Sequence, residues 1–369
     1  MAQWKDIELD DLVLHSGRLT LRPWQAEDAS AVQQIMTDER MVRYLPLPWP
    51  YTAADATEFV TELGVHGRQA GNRLDCAIAE NTGGAVVGSA SIWLTGGSYA
   101  GEIGYWVSSR HWGRGYAGEA VQTLSRFGFA QGLGRIRIVC ETANLASARV
   151  ALRSGYRYEG ISRGELPGRD GPRDGPVFAR TAADPGEPVP ASWPPMSELS
   201  DGVVTVRPLT AEDWPTVLAE GSNDESLGWG FGGTFTKADA IARSTMAPLD
   251  WLVGRQANMV ICDAATGAGA GTLTFRHVGP PNVVGIGYGI VPEFRGRRFT
   301  SRALNLVSEW AFSATPIVRL ELGCKVGNLA SARSAEAAGF VADARYTGRL
   351  RNPDGSYSDE IGYGRVRPS

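Results

Sequence analysis

The sequence is poor in the residues that build metal centres and disulfide frameworks. Of its 369 residues, only four are cysteine and four are histidine. The cysteines lie far apart with no Cys-x-x-Cys pair, which predicts reduced, core-packed thiols in a reducing, cytoplasmic compartment. The histidines show no ligand spacing, so we expect no metal site from His15, His66, His111 and His277.

Long apolar runs and an excess of one charge are also missing. No stretch of about 18 apolar residues occurs, so no membrane span is expected. The polar, acidic segment 1–11 does not fit a secretory signal. A formal net charge of -4 argues against a nucleic-acid-binding surface as the main role of the protein. The sequence also lacks the Gly-x-Ser-x-Gly motif of serine hydrolases.

The most informative feature that is present is an internal repeat. The hexamer Asn-Leu-Ala-Ser-Ala-Arg occupies positions 144–149 and again 328–333. The run Leu-Thr-Leu-Arg-Pro at 19–23 is echoed by Val-Thr-Val-Arg-Pro at 204–208. One unit has therefore been built twice, and each half serves as a control on any motif found in the other.

A proline-rich stretch separates the two copies. Five prolines fall within positions 181–196, and such a segment cannot continue a helix or a central strand. We predict an N-terminal domain over 1–183, a semi-rigid linker over 184–196 and a C-terminal domain over 197–369. The chain length agrees with two domains on the order of 150 residues each.

Within each half the hydrophobic pattern is mixed α/β. Alternating apolar residues predict strands, and apolar residues at helical spacing predict helices. In the first half the predicted strands cover 19–22, 74–80, 86–93, 101–107, 136–140, a segment from Tyr156 and one near 176–181. The predicted helices run from Asp28 to Met36, from Thr52 to about Leu63, from about Arg114 to Ala130, and onward from Ser147.

A glycine-rich loop precedes the long helix and allows two interpretations. Gly113-x-Gly115-x-x-Gly118 has the spacing of a dinucleotide-binding fingerprint. We reject that interpretation because five residues separate the loop from its strand and because the second copy lacks the pattern. The alternative is a diphosphate cradle, in which free N–H groups of a helix N-terminus act with Arg110 and Arg114. A plain helix-entry turn would carry the same glycines.

The loop and its flanks resemble the GNAT superfamily of acyl-CoA-dependent N-acyltransferases. The run 110–115 reads Arg-x-x-Gly-x-Gly and matches that family's (Gln/Arg)-x-x-Gly-x-(Gly/Ala) motif, with the strand 102–107 before it. The runs 18–23 and 144–147 look like its opening strand and its later strand–helix junction. Within the family, the ribosomal-protein N-terminal acetyltransferases RimJ and RimL are the branch it resembles most. The resemblance implies two tandem GNAT-like domains, each a mixed, mostly antiparallel, splayed sheet flanked by helices.

The resemblance also implies acetyl-CoA as the cofactor and assigns residues to it. Backbone N–H groups of the splayed strand would hold the pantetheine arm, here Trp106, Val107 and Ser108 and, in the second copy, Gly289, Ile290 and Val291. The remaining cofactor-binding positions would be Arg110, Gly113, Arg114, Gly115, Tyr116, Ala117, Asn144, Gly296, Arg297, Arg298, Asn328 and Ser331. For the two asparagines, turn formation is the alternative role.

Glu102 is the candidate general base, because an amine that attacks a thioester must lose a proton. It lies at the start of the splayed strand, where an acceptor amine would enter. A solvated strand-end glutamate or a structural ion pair is the alternative. Glu165 and Asp174 could also face the amine.

The general acid that protonates the departing thiolate is less obvious. Many family members have a tyrosine seven residues after the asparagine, but that position is Ala151 here and Ala335 in the second copy. In the RimJ/RimL-like branch, the resemblance implies a serine substitute at the Asn-x-x-Ser position, which is Ser147 or Ser331. The alternative role for this serine is a helix N-cap, where serine is common.

The two copies differ at positions that matter for this chemistry. The second copy has Gly285, Glu293 and Arg298 where the first has its candidate base, a loop arginine and a loop glycine. Arg298 would either crowd the diphosphate or grip a phosphate. We predict that the N-terminal half is the better enzyme. The C-terminal half would be a weakened copy, a different acceptor site or a structural partner.

The leading functional hypothesis is direct acetyl transfer from acetyl-CoA to a primary amine, on a protein N-terminus or a small molecule. The alternative is an acyl-CoA sensor or pseudoenzyme, with catalysis lost in at least the C-terminal half. A tRNA-dependent aminoacyl transferase is disfavoured by the acidic composition and the intact CoA loop. We expect neither nucleic-acid nor membrane partners, and a monomer or a homodimer.

Overall fold

The chain folds into two compact units, Met1–Pro190 and Ala191–Ser369, called here the N-terminal and the C-terminal unit. The computed structural model describes residue 4 and the ranges 7–95, 99–168, 171–222, 235–352 and 354–368. Within these described ranges, each unit has eight strands in one mostly antiparallel sheet, with helices packed against it.

The sheet of the N-terminal unit is built from short outer strands and long central ones. The strands are β1 (Leu14–His15), β2 (Leu19–Arg22), β3 (Arg73–Glu80), β4 (Val86–Thr95), β5 (Ala100–Val107), β6 (Arg135–Val139), β7 (Arg157–Leu166) and β8 (Arg173–Thr181). Their order across the sheet is β1-β2-β3-β4-β5-β6-β8-β7. The helices are α1 (Ala29–Met36), α2 (Glu39–Val42), α3 (Ala53–Glu58), a π-helical turn (Phe59–Leu63), α4 (Gly64–Gln69), α5 (Tyr116–Ala130) and α6 (Leu145–Arg153).

The C-terminal unit repeats this plan. Its strands are β9 (Leu199–Ser200), β10 (Val204–Pro208), β11 (Ala257–Asp263), β12 (Gly269–His277), β13 (Val283–Ile290), β14 (Arg319–Lys325), β15 (Val341–Arg351) and β16 (Tyr357–Val366). Their order is β15-β16-β14-β13-β12-β11-β10-β9. The helices are α7 (Trp214–Gly221), α8 (Lys237–Leu252), α9 (Phe299–Ala314) and α10 (Leu329–Ala337).

The predicted fold class, two tandem mixed α/β units with mostly antiparallel sheets, is confirmed. The strands and helices predicted for the first half are present. The long helix starts later than predicted, at Tyr116 rather than Arg114. The reason is that Gly113 and Gly115 adopt φ of +77° and +82°, which lies outside the right-handed helical region.

A repeated ion pair ties the first helix of each unit to a strand. Arg22 on β2 binds both carboxylate oxygens of Asp28, at 2.7 and 2.9 Å. Arg207 on β10 binds Asp213 in the same way, at 2.9 and 2.8 Å. In both units the carboxylate also accepts a backbone N–H at the start of the turn, which closes a capping box. The sequence repeat is therefore a repeat of local structure.

Each unit has its own apolar core between sheet and helices. In the N-terminal unit fully buried members include Leu19, Leu21, Ile78, Ile92 and Leu124. In the C-terminal unit they include Val206, Ile261, Phe275, Leu304 and Leu320. The four cysteines are free and buried, as predicted: Cys76, Cys140, Cys262 and Cys324. Among the helices in the described ranges, none combines the length and apolarity needed to cross a bilayer.

Candidate active site

In each unit two parallel strands start side by side and then separate. In the described residues, β5 pairs with β6 only at Ala100–Glu102 and then continues along β4 to Val107. In the C-terminal unit, as described, β13 pairs with β14 only at Val283–Gly285 and continues along β12 to Ile290. Both sheets are therefore splayed where the family resemblance places the pantetheine arm.

The hydrogen-bond pattern determines which N–H groups face the opening in the N-terminal unit. The N–H of Ser108 donates to the carbonyl oxygen of Val87 at 2.8 Å, on the β4 side. Because N–H groups along a strand alternate in direction, the Trp106 N–H also points toward β4 and the Val107 N–H points into the opening. The prediction of three consecutive available amides is therefore corrected to one, that of Val107.

The same correction applies to the C-terminal unit. The N–H of Val291 donates to the carbonyl oxygen of Ala270 at 2.8 Å. By alternation, the N–H of Gly289 points toward β12 as well, and the Ile290 N–H faces the opening. The N–H groups that face the opening therefore belong to equivalent residues of the two units, Val107 and Ile290.

The turn that follows β5 has the features of an anion site. Gly113 and Gly115 both have positive φ, and a Cβ added at Gly113 would meet no atom within 4 Å. The side chains of Arg110 and Arg114 are exposed at this turn. Helix α5 starts at Tyr116, so its first N–H groups and the positive end of its dipole point at the turn. An anion such as a diphosphate fits this combination.

Two sets of contacts hold this turn in place. The indole N–H of Trp112 donates to the carbonyl oxygen of Val107 at 2.7 Å, which fixes the turn against the end of β5. The guanidinium of Arg18 donates to the carbonyl oxygen of Arg114 at 3.0 Å and pairs with Glu119 at 2.6 Å. The turn is therefore anchored to the strand and to the first residues of α5.

The corresponding turn of the C-terminal unit is strained. Gly296 has φ +72° like the first glycine of the N-terminal turn, but Arg298, with φ +61°, occupies the place of the second. A non-glycine residue at positive φ costs roughly 1–3 kcal/mol. Arg297, predicted to bind the cofactor, pairs with Asp263 at 3.1 Å and lies over the ring of Phe299. Arg298 is exposed and lines a cavity, so it is the better placed of the two arginines.

Glu102 lies in the last residue pair before β5 and β6 separate, opposite Arg137. The Arg137 guanidinium binds its carboxylate at 2.7 and 2.8 Å and also reaches Glu165 at 2.6 Å. Burial raises the pKa of Glu102 above its ordinary value, although Arg137 acts in the opposite direction. The ion pair weighed as an alternative role is present, and the carboxylate that it orients is more basic than usual.

The other two acidic candidates are held by structural contacts. A hydrogen bond from Ser162 keeps the pKa of Glu165 below its usual range, with a further contribution from Arg137. Asp174 accepts the backbone N–H of Gly164 at 2.9 Å and so stabilises the turn of the β7–β8 hairpin. Of the three carboxylates, Glu102 is the one that lies where β5 and β6 separate.

Helix α6 is capped by Asn144, so the alternative N-cap role for Ser147 is wrong. The Asn144 side-chain oxygen accepts the N–H of Ser147 at 3.1 Å, and the helix begins at Leu145. The Ser147 hydroxyl instead shares a hydrogen bond of 2.8 Å with the hydroxyl of Tyr105. Burial raises the pKa of Tyr105, so this phenol stays protonated at neutral pH.

The C-terminal unit contains the same arrangement. Asn328 accepts the N–H of Ser331 at 3.1 Å, and the Ser331 hydroxyl lies 2.8 Å from that of Tyr288. In the N-terminal unit, burial raises the pKa of the Cys140 thiol to about 12, which favours the neutral thiol near neutral pH. Both units therefore retain a hydroxyl pair next to the opening.

Each unit contains a cavity, and the one in the C-terminal unit adjoins its splayed strand β13. In the N-terminal unit a cavity of about 430 Å³ is lined by Trp49, Arg43 and the pair Arg173–Glu141, whose atoms lie 2.9 Å apart. In the C-terminal unit a cavity of about 1730 Å³ extends from the turn before α9, past Ser331, to residues of β13 and to Glu220 on α7.

Sequence reasoning missed three groups that the structure brings to these sites. Tyr105 belongs to an Ile-Gly-Tyr run that both halves share, and this repeat was the signal that could have found it. Arg137 and Glu220 had no such signal, because their positions depend on strand register and helix packing. In the described portions of the chain, no group of three or more His, Cys, Asp or Glu side chains could hold a metal ion.

Comparison with known proteins identifies the family. The model of the acetyltransferase (GNAT) domain matches residues 18–157 and again 204–341. The chain belongs to the GNAT acetyltransferase family. It is an acetyltransferase with two GNAT domains in tandem, so the resemblance drawn from the glycine-rich loop is confirmed.

Similar proteins match one GNAT domain at a time. The uncharacterized N-acetyltransferase p20 of Bacillus licheniformis is 31% identical over 156 residues, covering 41% of this chain and 85% of the relative. The uncharacterized N-acetyltransferase YoaA of Bacillus subtilis is 28% identical over 170 residues, covering 45% of this chain and 95% of the relative. The structure of Mycobacterium smegmatis RimJ in complex with CoA-disulfide is 24% identical, covers 49% of this chain and 90% of that chain, and has a TM-score of 0.43.

Proposed function

We propose that this acetyltransferase moves the acetyl group of acetyl-CoA to a primary amine, on a protein N-terminus or a small molecule. One observation carries the proposal. A single unit joins a splayed strand pair, a glycine turn at a helix N-terminus, and Glu102 at the point where the strands part.

The N-terminal turn fits the diphosphate of coenzyme A. The space above Gly113 is open, and the exposed guanidinium groups of Arg110 and Arg114 add positive charge beside the α5 N-terminus. The N–H of Val107 faces the opening and is placed to bind the pantetheine arm or the thioester carbonyl oxygen. When bound, acetyl-CoA supplies an acyl thioester, which an uncharged amine can attack.

Glu102 accepts the proton that the amine loses. Its burial raises the pKa of the carboxyl above its ordinary value, which makes the carboxylate a better base. Arg137 holds this carboxylate from the neighbouring strand at 2.7 Å. The acceptor amine approaches on the face of the sheet to which Glu102 points.

The Ser147–Tyr105 hydroxyl pair returns a proton to the departing thiolate. The hydroxyls lie 2.8 Å apart beside the opening. Because burial raises the pKa of Tyr105, its phenol remains a proton donor and can re-supply Ser147. Asn144 positions Ser147 through the cap of α6.

The test measures release of free thiol from acetyl-CoA with phenethylamine and with the peptide Ala-Ala-Ala as acceptors. The double variant Gly113→Asp, Gly296→Asp places a negative charge at both diphosphate sites. The matched control is Gly113→Asn, Gly296→Asn, because both Asp and Asn tolerate positive φ and only one is charged.

Wild type and the asparagine control are expected to release thiol only when an amine is present, and the aspartate variant to lose this activity. No amine-dependent release by the wild type, or equal release by the aspartate variant, would contradict the proposal. Acetyl-CoA binding without any thiol release would favour the sensor instead.

A further inference from the structure

The C-terminal unit places a carboxyl group inside its cavity where the N-terminal unit has an apolar side chain. Glu220, the penultimate residue of α7, lines the 1730 Å³ cavity. The repeated arginine–aspartate pair fixes the alignment of α7 with α1, and the equivalent position in α1 is Ile35. Ile35 packs into an apolar cluster, so the carboxyl group is a specific feature of the second copy.

The side chain of Glu220 lies against the splayed strand β13 at Gly289, which has no side chain of its own. A Cβ added to Gly289 would lie 2.7 Å from the Cγ of Glu220, so any larger residue at 289 would displace this side chain. The equivalent residue in the N-terminal unit is Trp106, whose ring centroid lies 6.3 Å from that of Trp24 and 6.5 Å from that of Phe59. The aromatic side chain present at this position in one unit is therefore replaced by a glycine and the carboxyl group of Glu220 in the other.

Glu220 lies close to the part of β13 whose backbone N–H faces the opening. Gly289 directly precedes Ile290, the residue whose N–H faces the opening. Side chains alternate along a strand, so Glu220 lies on the face to which Gly285 also points. In the N-terminal unit that face carries the candidate base. Glu220 thus lies on the face where the acceptor amine enters, next to the gap-facing amide.

Arg243 on α8 lines the same cavity as Glu220 and acts on its carboxyl group, and Arg276 on β12 is among the other charged residues of this lining. Arg243 donates to the hydroxyl of Thr272 at 3.3 Å. Burial raises the pKa of Glu220, while Arg243 and Thr272 act to lower it. The carboxyl group is therefore a stronger base than an exposed glutamate.

Two other acids near the opening of this unit form ion pairs with arginines. Glu321, which faces Gly285 across the strand pair, binds Arg319 at 2.6 Å. Asp201 binds Arg302 at 2.7 Å. Glu220 differs from these two acids in lying against Gly289, the residue before the gap-facing amide of Ile290.

We propose that Glu220 is the general base of a second acetyl-transfer site, in the C-terminal unit, which takes a primary amine. The amine nitrogen bonds to the acyl carbon, and the carbon–sulfur bond breaks with its electron pair on sulfur. The proton lost by the nitrogen passes to Glu220, and the thiolate leaves as part of coenzyme A. This inference rests on the proposed function, because acetyl-CoA is the acyl donor.

The kinetic test uses the full chain with Gly113→Asp, so that turnover reports the C-terminal site. With phenethylamine and Ala-Ala-Ala as acceptors, Glu220→Gln is expected to lower kcat about 100-fold or more and to remove the acid limb of the pH profile. The acetyl-CoA Kd should stay unchanged. Glu212→Gln, an exposed glutamate just before α7, is the matched control and should leave both parameters as in the parent.

A second readout needs no turnover. An acid whose pKa is raised by folding stabilises the fold less as pH rises from its unfolded to its folded pKa. Glu220→Gln should therefore raise the melting temperature of the ligand-free chain relative to the parent, increasingly across that pH window and then by a constant amount. The Glu212→Gln control should not follow this curve.

The outcomes separate the inference from the proposed function. Loss of turnover and of the acid limb in Glu220→Gln, with unchanged acetyl-CoA binding and the pH-dependent melting difference, supports the base. Full turnover in Glu220→Gln overturns it. If the Gly113→Asp parent is inactive while wild type acetylates, the inference fails and the proposed function stands. If neither is active, both fail.

Discussion

Glu102 and Arg137 face each other in the last residue pair before β5 and β6 separate, and their side chains meet at 2.7 Å. The guanidinium therefore holds a carboxylate at the point where the two strands separate. The structural ion pair with Arg137 and the proposed role of Glu102 as general base are compatible, because an ion pair can also orient a base.

The first prediction concerns Glu102 and pH. Burial raises the pKa of Glu102, and the ionised form is the proposed base, so acetylation should fall as pH drops through this raised pKa. In a Gly296→Asp background, Glu102→Gln should lower kcat about 100-fold or more and remove the acid limb. The measurement is kcat against pH with an amine acceptor.

Glu165→Gln is the matched control, because Glu165 binds the same guanidinium at 2.6 Å. It should keep the acid limb and most of the turnover. If both variants lose stability equally while turnover is unaffected in both, Glu102 is only a structural partner of Arg137.

The second prediction concerns backbone strain at the C-terminal turn. Arg298 has φ +61° at the position where the first copy has Gly115, with φ +82°. Arg298→Gly should stabilise the C-terminal unit by about 1 kcal/mol, because glycine accepts this conformation without strain. Urea denaturation measures the change in unfolding free energy. Arg298→Ala removes the charge but keeps the Cβ, and an equal gain from alanine would show that strain is not the cause.

Much of the fold could be predicted from the sequence because its signals are local and doubled. The hexamer at 144–149 and its copy at 328–333 fixed the repeat, and alternation of apolar residues located the strands. The errors are also local. The long helix was predicted to start at Arg114 because its apolar spacing gives no sign of the left-handed turn at Gly115.

The site was less predictable because it depends on register and tertiary packing. Which N–H groups face the opening follows from the bond of Ser108 to Val87, and no single-strand pattern shows that bond. The partner of Glu102 depends on the parallel register of β5 and β6. Glu220 could not be found by comparing the two copies, because the equivalent residue in the first copy is the apolar Ile35.

The third prediction separates the roles of Asn144 and Ser147. Asn144 caps α6, so Asn144→Ala should cost about 1 kcal/mol of unfolding free energy. Ser147→Ala leaves the cap oxygen in place but removes the 2.8 Å bond to Tyr105, so it should lower kcat while the acetyl-CoA Kd is unchanged. Both are measured in the Gly296→Asp background.

Tyr105→Phe removes the other half of the same hydroxyl pair. If the pair delivers the proton, this variant and Ser147→Ala should lower kcat by similar factors, and the double variant should do little more. Additive losses, or an unchanged kcat in Ser147→Ala, would show that the thiolate takes its proton from another source.

The central claim is that coenzyme A binds with its diphosphate at the glycine turn of each unit. Isothermal titration of coenzyme A into wild type, Gly113→Asp, Gly296→Asp and the double variant tests it most directly. The account predicts two sites in the wild type, one in each single variant and none in the double variant, with the matching asparagine variants like wild type. Binding to the double variant with wild-type affinity would contradict it.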